Sequence, residues 1–343
     1  MKKLLYILVL NLVILSSCNH KDLCYIHREH AHRHHINLIA EYRYDWEECY
    51  GGTDWRNNWP VHFSYTYDEL RPKKPAGLRV INYNEKGESN IHNLEPDGGV
   101  VNLYEGLNDI LLYNNNTEYI IFSKVTNNAS TRATTRASTR TRTRSTYKGS
   151  DLVPEKEETM TPPDILYANY YEGVYQDKVL EPEDFRAKLH PLVFTYKIRY
   201  EFAEGLEYVA LARGALSGMA SSVLMNTGET SEKGATLLFD CNMTNYGANA
   251  LVNSFGIPGF PNTNYVKSAG PKHILNLELL LKNGKLLTLD YDVTDAVQKQ
   301  PHGGVITVSD IIVKKEDGLQ GSGAFDVEVN DWGEYQDVVL PFK

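Results

Sequence analysis

From Leu192 to Phe202, apolar and polar side chains alternate almost without a break. Leu192, Phe194, Tyr196, Ile198, Tyr200 and Phe202 share one side; Val193, Thr195, Lys197, Arg199 and Glu201 share the other. A period of two marks a strand with one buried face. A second passage repeats the pattern. Leu275, Leu277, Leu279 and Leu281 lead into Lys282-Asn283-Gly284-Lys285, and Leu287, Leu289, Tyr291 and Val293 follow. Asn-Gly between two alternating runs predicts a hairpin with a type I′ turn. Shorter strands are expected from Ile36 to Trp46, Leu78 to Tyr83, Val100 to Leu103, Asp109 to Tyr113 and Tyr119 to Val125. More are expected from Val305 to Val313, Phe325 to Val329 and Asp337 to Phe342. Only Leu216 to Leu224 and Val293 to Val297 carry helical spacing, and both are brief. Rossmann and TIM architectures need a helix between successive strands and are excluded. Short strands punctuated by Gly, Asn and Pro predict an all-β sandwich protein.

The N-terminus reads as a processing signal. Lys2 and Lys3 precede a short apolar run from Leu4 to Leu15, interrupted by Asn11. The run is too short to span a bilayer but suits a secretory signal. It ends Leu15-Ser16-Ser17-Cys18, a bacterial lipobox, which makes Cys18 the lipidation site. Residues 1–17 are then a lipoprotein signal peptide, and the mature chain is anchored to the membrane rather than spanning it. Asn19 follows, and Lys21-Asp22 resembles a basic–acidic surface-export signal. Cys24, Cys49 and Cys241 remain, so at most one internal disulfide forms. Cys24 with Cys49 is the expected pair, leaving Cys241 as a small apolar residue.

A length of 343 residues suggests two domains. Residues 18–35 form a lipidated, His-rich leader, 36–150 a first sandwich, 151–180 a linker or crossing, and 181–343 a second sandwich. The net charge of −9 disfavours a nucleic-acid partner. The leader holds His20, His27, His30, His32, His34 and His35. These read either as a solvated stalk or as a chelator of zinc, copper or nickel, with His30, His32 and His34 sharing one face of an extended chain. No cofactor or metal site is assigned. Residues 127–149 carry Arg132, Arg136, Arg140, Arg142 and Arg144 among Thr and Ser. Four readings stand: a strand or loop with a wet basic face, a stretch open to an Arg-specific protease, a contact with an anionic surface, or a nucleic-acid patch. Asp290, Asp292 and Asp295 lack the Gly and Glu of a calcium loop and read as a solvated face. Nucleophile-elbow, zinc-protease and P-loop motifs are all missing, so the chain is read as a non-enzyme.

Several stretches resemble fimbrillin-associated lipoproteins of Bacteroidetes, and the minor fimbrial anchor group in particular. They are Tyr42-Arg43-Tyr44-Asp45-Trp46, Tyr113-Asn114-Asn115-Asn116-Thr117-Glu118, Leu216-Ser217-Gly218-Met219-Ala220, Val327-Glu328-Val329-Asn330-Asp331-Trp332 and Val338-Val339-Leu340-Pro341-Phe342. The resemblance implies two tandem transthyretin-like β-sandwich domains and a lipid anchor in the outer membrane. It also implies a role in fimbria assembly or adhesion, with fimbrial subunits of the same cell as partners. The expected mechanism is strand-mediated association. The last expected strand is followed only by Lys343, so an acceptor or terminal subunit is expected rather than a repeating stem. The competing expectation is a surface lipoprotein that binds a glycan or host ligand and joins no fimbria.

Overall fold

The structure, a computed structural model, describes residues 34–43, 73–123, 131–138, 157–260 and 272–319. The protein is all-β, as its patterning predicts. In chain order the first strands are β1 (His35–Tyr42), β2 (Leu78–Asn84), β3 (Ser89–Leu94), β4 (Gly98–Asn102), β5 (Gly106–Tyr113), β6 (Ile120–Ser123) and β7 (Arg132–Thr135). Then come β8 (Glu158–Met160), β9 (Tyr167–Gln176), β10 (Glu183–Pro191), β11 (Phe194–Glu204), β12 (Val209–Ala220) and β13 (Ser222–Leu224). The rest are β14 (Gly234–Asp240), β15 (Asn242–Thr244), β16 (Gly247–Ser254), β17 (Ile274–Leu281), β18 (Leu286–Asp292) and β19 (Gly304–Ile312). Two short helices, α1 (Thr294–Lys299) and α2 (Lys315–Leu319), flank β19.

The first sheet has the order β3-β2-β5-β9-β10-β1-β4. Its two end strands are consecutive in the chain and joined by a tight turn, where the Gly98 N–H donates to the Glu95 carbonyl at 3.0 Å. The sheet therefore folds over on itself. Ile36, Leu38, Leu78, Val80, Val101, Ile110, Leu112 and Leu189, drawn from both halves, fill the interior. On the opposite side of β2 and β5, Ile81, Leu111 and Tyr113 enter a second core with Ile120, Ala133, Val223 and Phe255. Burial on both faces explains the unbroken run Ile110-Leu111-Leu112-Tyr113, which alternation alone does not produce. A third core lies between the five-stranded sheet β18-β17-β12-β14-β8 and the four-stranded sheet β15-β16-β11-β19.

The segment expected to be a crossing, 151–180, contains β8 and β9. β8 pairs with β14, whereas β9 lies between β5 and β10 in the first sheet. β10, placed by sequence in the second sandwich, runs parallel to β1, with Ile36 opposite Glu183 and Tyr42 opposite Leu189. The chain thus visits the second sandwich, returns to complete the first, and leaves again. β7 lies between β6 and β13 in a three-stranded sheet to which both parts of the chain contribute. The leader also differs at its end. His35 is the first residue of β1 and is buried.

The predicted hairpin is β17–β18, in unbroken register from Ile274–Asp292 to Leu280–Leu286. Leu275, Leu277, Leu279 and Leu281 are all fully buried, about 1.5–3 kcal/mol of gross transfer energy each. Its turn is not type I′. The Gly284 N–H donates to the Leu281 carbonyl, and the Leu281 N–H to the Lys285 carbonyl, each at 2.8 Å. Gly284 alone adopts positive φ, +81°. This is a three-residue loop, a type I turn followed by a glycine bulge. Asn84 to Glu88 repeats it, with Gly87 at φ +78°.

Residues 216–224, whose spacing suggested a helix, belong to β12 and β13. β12 is bulged between Leu216 and Met219, at Gly218 with φ +72°. The bulge shifts the phase of the alternation, so inward residues fall three apart, as in a helix. α1 occurs where the second helical spacing was read.

Candidate association surface

A sheet edge carries unpaired backbone N–H and C=O groups, and the edges of the five- and four-stranded sheets differ in what blunts them. β15 has only three residues. β8 is as short, and Met160 is bridged by Ala137. β19 is nine residues long, but its register with β11 slips twice near Asp310, a non-glycine residue at φ 60°. At its start, the Gln300 side chain occupies the backbone of Val305. β18 differs. It has seven residues, no proline and no bulge, and among the described residues only β17 pairs with it.

The direction of its free groups follows from the turn. Leu281 and Lys285 form a hydrogen-bonded pair, and such pairs alternate along an antiparallel ladder. Leu287, Leu289 and Tyr291 therefore direct their backbone groups to β17, and Thr288 and Asp290 direct theirs outward. The same two residues carry exposed side chains, while Leu287, Leu289 and Tyr291 are half-buried against the third core. The Asp290 carboxylate accepts from Asn276 Nδ2 at 2.6 Å. Asp290, Asp292 and Asp295 form no metal cluster; among the described residues no group of three metal-ligating side chains exists.

The polar side of β11 is not a wet face. Thr195, Lys197 and Arg199 are all buried, and Lys197 is fully inaccessible. Lys197 Nζ donates to Asn249 Oδ1 at 3.0 Å. Burial, and then the Arg199 charge, bring the Lys197 pKa down to about 8. Arg199 Nε donates to Glu201 Oε1 at 2.5 Å, and its guanidinium lies 3.7 Å from the centre of the Tyr246 ring. On the five-stranded sheet, Arg213 pairs with the fully buried Glu278. Alternation in sequence fixes which residues share a face, but it does not determine whether the polar face is later covered.

Within the Arg–Thr tract, Thr131, Ala133 and Thr135 point into the second core and Arg132 and Thr134 point away. Arg132 Nη1 donates to Ser222 Oγ on β13 at 2.9 Å. Arg136 is exposed, and its N–H donates to the Tyr119 carbonyl at 2.8 Å. The start of the tract is therefore a paired strand with Arg132 and Thr134 on its outward side. Arg140, Arg142 and Arg144 lie outside the described residues, as do Cys18, Cys24, Cys49 and the expected strands after 319. Cys241 is half-buried and unpaired. Burial, then the Asp240 charge, push its thiol well above the usual range, so it is protonated and a poor nucleophile.

These features define an all-β protein, and among the described residues β18 is the clearest unblunted edge of its sheets. Residues 53–240, more than half of the chain, match the model of the family described as domain of unknown function DUF5119, and the protein belongs to that family. No curated protein matches it. Among solved structures, the fold resembles a "putative adhesin" of Bacteroides ovatus. That match has a TM-score of 0.56 and 18% identity, covering 90% of this chain and 98% of the other. A second Bacteroides ovatus structure of the same description gives 0.48, with 9% identity over 85% and 93%. The fimbrial anchor protein Mfa2 of Porphyromonas gingivalis gives 0.45, with 12% identity over 80% and 90%.

Proposed function

We propose that this protein is a lipid-anchored subunit at the outer surface of the outer membrane that holds a fimbrial or adhesive partner by strand pairing and catalyses no reaction. Cys18 carries the lipid, and the sandwiches present β18 to the partner. The observation that carries the reading is the β18 edge: seven residues in unbroken register with outward backbone groups at Thr288 and Asp290. A partner strand laid along it gains main-chain hydrogen bonds, with the half-buried Leu287, Leu289 and Tyr291 beside it. The shared fold with the Bacteroides ovatus "putative adhesin" and the sequence resemblance to fimbrial anchors support the same role.

The test uses the tagged full-length protein recovered from detergent-solubilised cells. A fimbrial subunit should accompany the parent and be lost from Thr288→Pro. Proline at 288 removes an outward N–H and leaves the bonds to β17 intact. A parent that comes out alone, or a Thr288→Pro variant that keeps its partner, would overturn the β18 reading. Cys18→Ala should move the protein out of the membrane fraction; unchanged partitioning would remove the lipid anchor from the proposal.

A further inference from the structure

At one end of the first sandwich, β1 begins, β4 ends, and the β9–β10 connection passes alongside. Here lies a cleft of about 510 Å³, lined by His35, Val100, Asn102, Leu180, Glu181 and Pro182. That volume falls in the usual range for small-ligand sites, about 300–1,000 Å³. The strand pattern fixes its walls. His35 stands directly opposite Asn102 across the β1–β4 pair, and the Leu103 N–H donates to the His34 carbonyl at 2.7 Å. On the other side, β10 starts beside β1 with Glu183 opposite Ile36, which brings Pro182 and Glu181 to the cleft.

His35 is 4% exposed, yet its Nδ1 has no hydrogen-bond partner. A buried polar atom left unpaired is costly, and a hydroxyl in the cleft would satisfy it once the imidazole turns toward the opening. Around it stand one amide (Asn102), one carboxylate (Glu181) and the aliphatic groups of Val100, Leu180 and Pro182. Val100 and Leu180 are 55% and 45% exposed, so their aliphatic surfaces are open to a ligand in the cleft.

The lining chemistry selects among ligand classes. It includes no cationic side chain, and the nearby Lys178 is already 3.9 Å from Glu105, so an anion is disfavoured. A single carboxylate does not make a site for an organic cation. One histidine and one carboxylate do not make a metal centre, in keeping with the lack of any three-ligand cluster among the described residues. A lipid tail would leave His35 and Asn102 unpaired. A neutral pyranose fits, with hydroxyls for Asn102, Glu181 and the imidazole and a C–H face for Val100 and Leu180. We propose that this cleft binds one neutral sugar residue of a glycan. The site is separate from the β18 edge and stands or falls independently of it.

The test is saturation-transfer NMR on the detergent-solubilised full-length protein. The probes are methyl α-mannoside, methyl β-galactoside and N-acetylglucosamine, with sialic acid and Zn²⁺ as challengers. At least one neutral sugar should bind with roughly millimolar affinity, because no aromatic ring supplies a stacking platform. Asn102→Ala and Glu181→Ala, both at exposed positions, should each weaken binding about tenfold with unchanged thermal midpoints. His35→Ala tests the floor, and the two exposed variants keep the proposal decidable if that one fails to fold. The proposal is overturned if no neutral sugar binds, if sialic acid or Zn²⁺ binds in preference, or if the Asn102 and Glu181 variants bind like the parent.

Discussion

Gln300 serves Val305 as a neighbouring strand would. Its Oε1 accepts the Val305 N–H at 2.8 Å and its Nε2 donates to the Val305 carbonyl at 2.9 Å. Both backbone groups of Val305 therefore point away from β11, and one side chain caps the start of the β19 edge. Gly304 permits this, since a Cβ there would collide with Gln300 Oε1. The cap and the bulge at Asp310 leave little of β19 open, whereas β18 carries neither device.

Removing the cap should expose the edge. Gln300→Ala leaves the two Val305 groups without that partner, at a cost of about 1–3 kcal/mol for two hydrogen bonds. The expected result is a lower urea midpoint together with self-association in sedimentation velocity, because an opened edge pairs with other copies. A variant that is less stable but strictly monomeric would show that the cap serves stability alone.

The β17–β18 hairpin should dominate the stability of the second sandwich. Leu279 is fully buried, so Leu279→Ala should cost about 2–5 kcal/mol. Leu279→Asp places an unpaired carboxylate in that core and should abolish cooperative unfolding of the sandwich. Urea titration followed by circular dichroism and tyrosine fluorescence checks both.

Much of this was legible in the sequence because alternation is a local signal. The leucines of β17, the inward side of β11 and the turn at Gly284 are all visible within a dozen residues. The turn type was misread because Asn283-Gly284 is a two-residue I′ signature only when the closing pair flanks it directly; here Lys282 also belongs to the loop. The return of β9 and β10 to the first sheet was not legible. Parallel pairing of Leu38 with Phe185 joins residues 147 apart, and no short window records it. The cleft was hidden for the same reason: His35 reads as the end of a histidine tract until β4 and the β9–β10 connection are placed beside it.

Two histidines make stability depend on pH. Burial lowers the pKa of both His273 and His302 to about 4; for His273 the Ser217 carbonyl and the Asp292 charge oppose the shift. The folded pKa lies below the unfolded value of about 6.5, so between these values the unfolded chain binds more protons. Stability should therefore be fully present above pH 6.5 and fall as pH drops toward 4. Fully buried His273 contributes up to about 3 kcal/mol of that loss. Thermal midpoints across this window should drop, and His273→Gln should flatten the slope. A midpoint independent of pH from 6.5 to 4 would contradict the burial of both rings.

The Arg–Thr tract should be cut without the protein coming apart. Arg132 lies in β7, paired on one side with β6 and on the other with β13. A protease needs an unpaired, extended substrate, so Arg132 is protected until the second core opens. Arg140, Arg142 and Arg144 follow in the same Thr-rich stretch. Cleavage after any of them divides the chain into one part carrying β1 to β7 and another carrying β8 to β19. The parts are interwoven: β9 and β10 of the second stand between β5 and β1 of the first, and β7 of the first holds β13 of the second. Separating them requires breaking the β5–β9 ladder, the seven-residue β1–β10 ladder and the second core at once. An Arg-specific endoprotease under native conditions should therefore give two large bands in a denaturing gel and one unchanged peak in gel filtration. Fragments that elute apart would mean that the first sheet does not hold β9 and β10 as described.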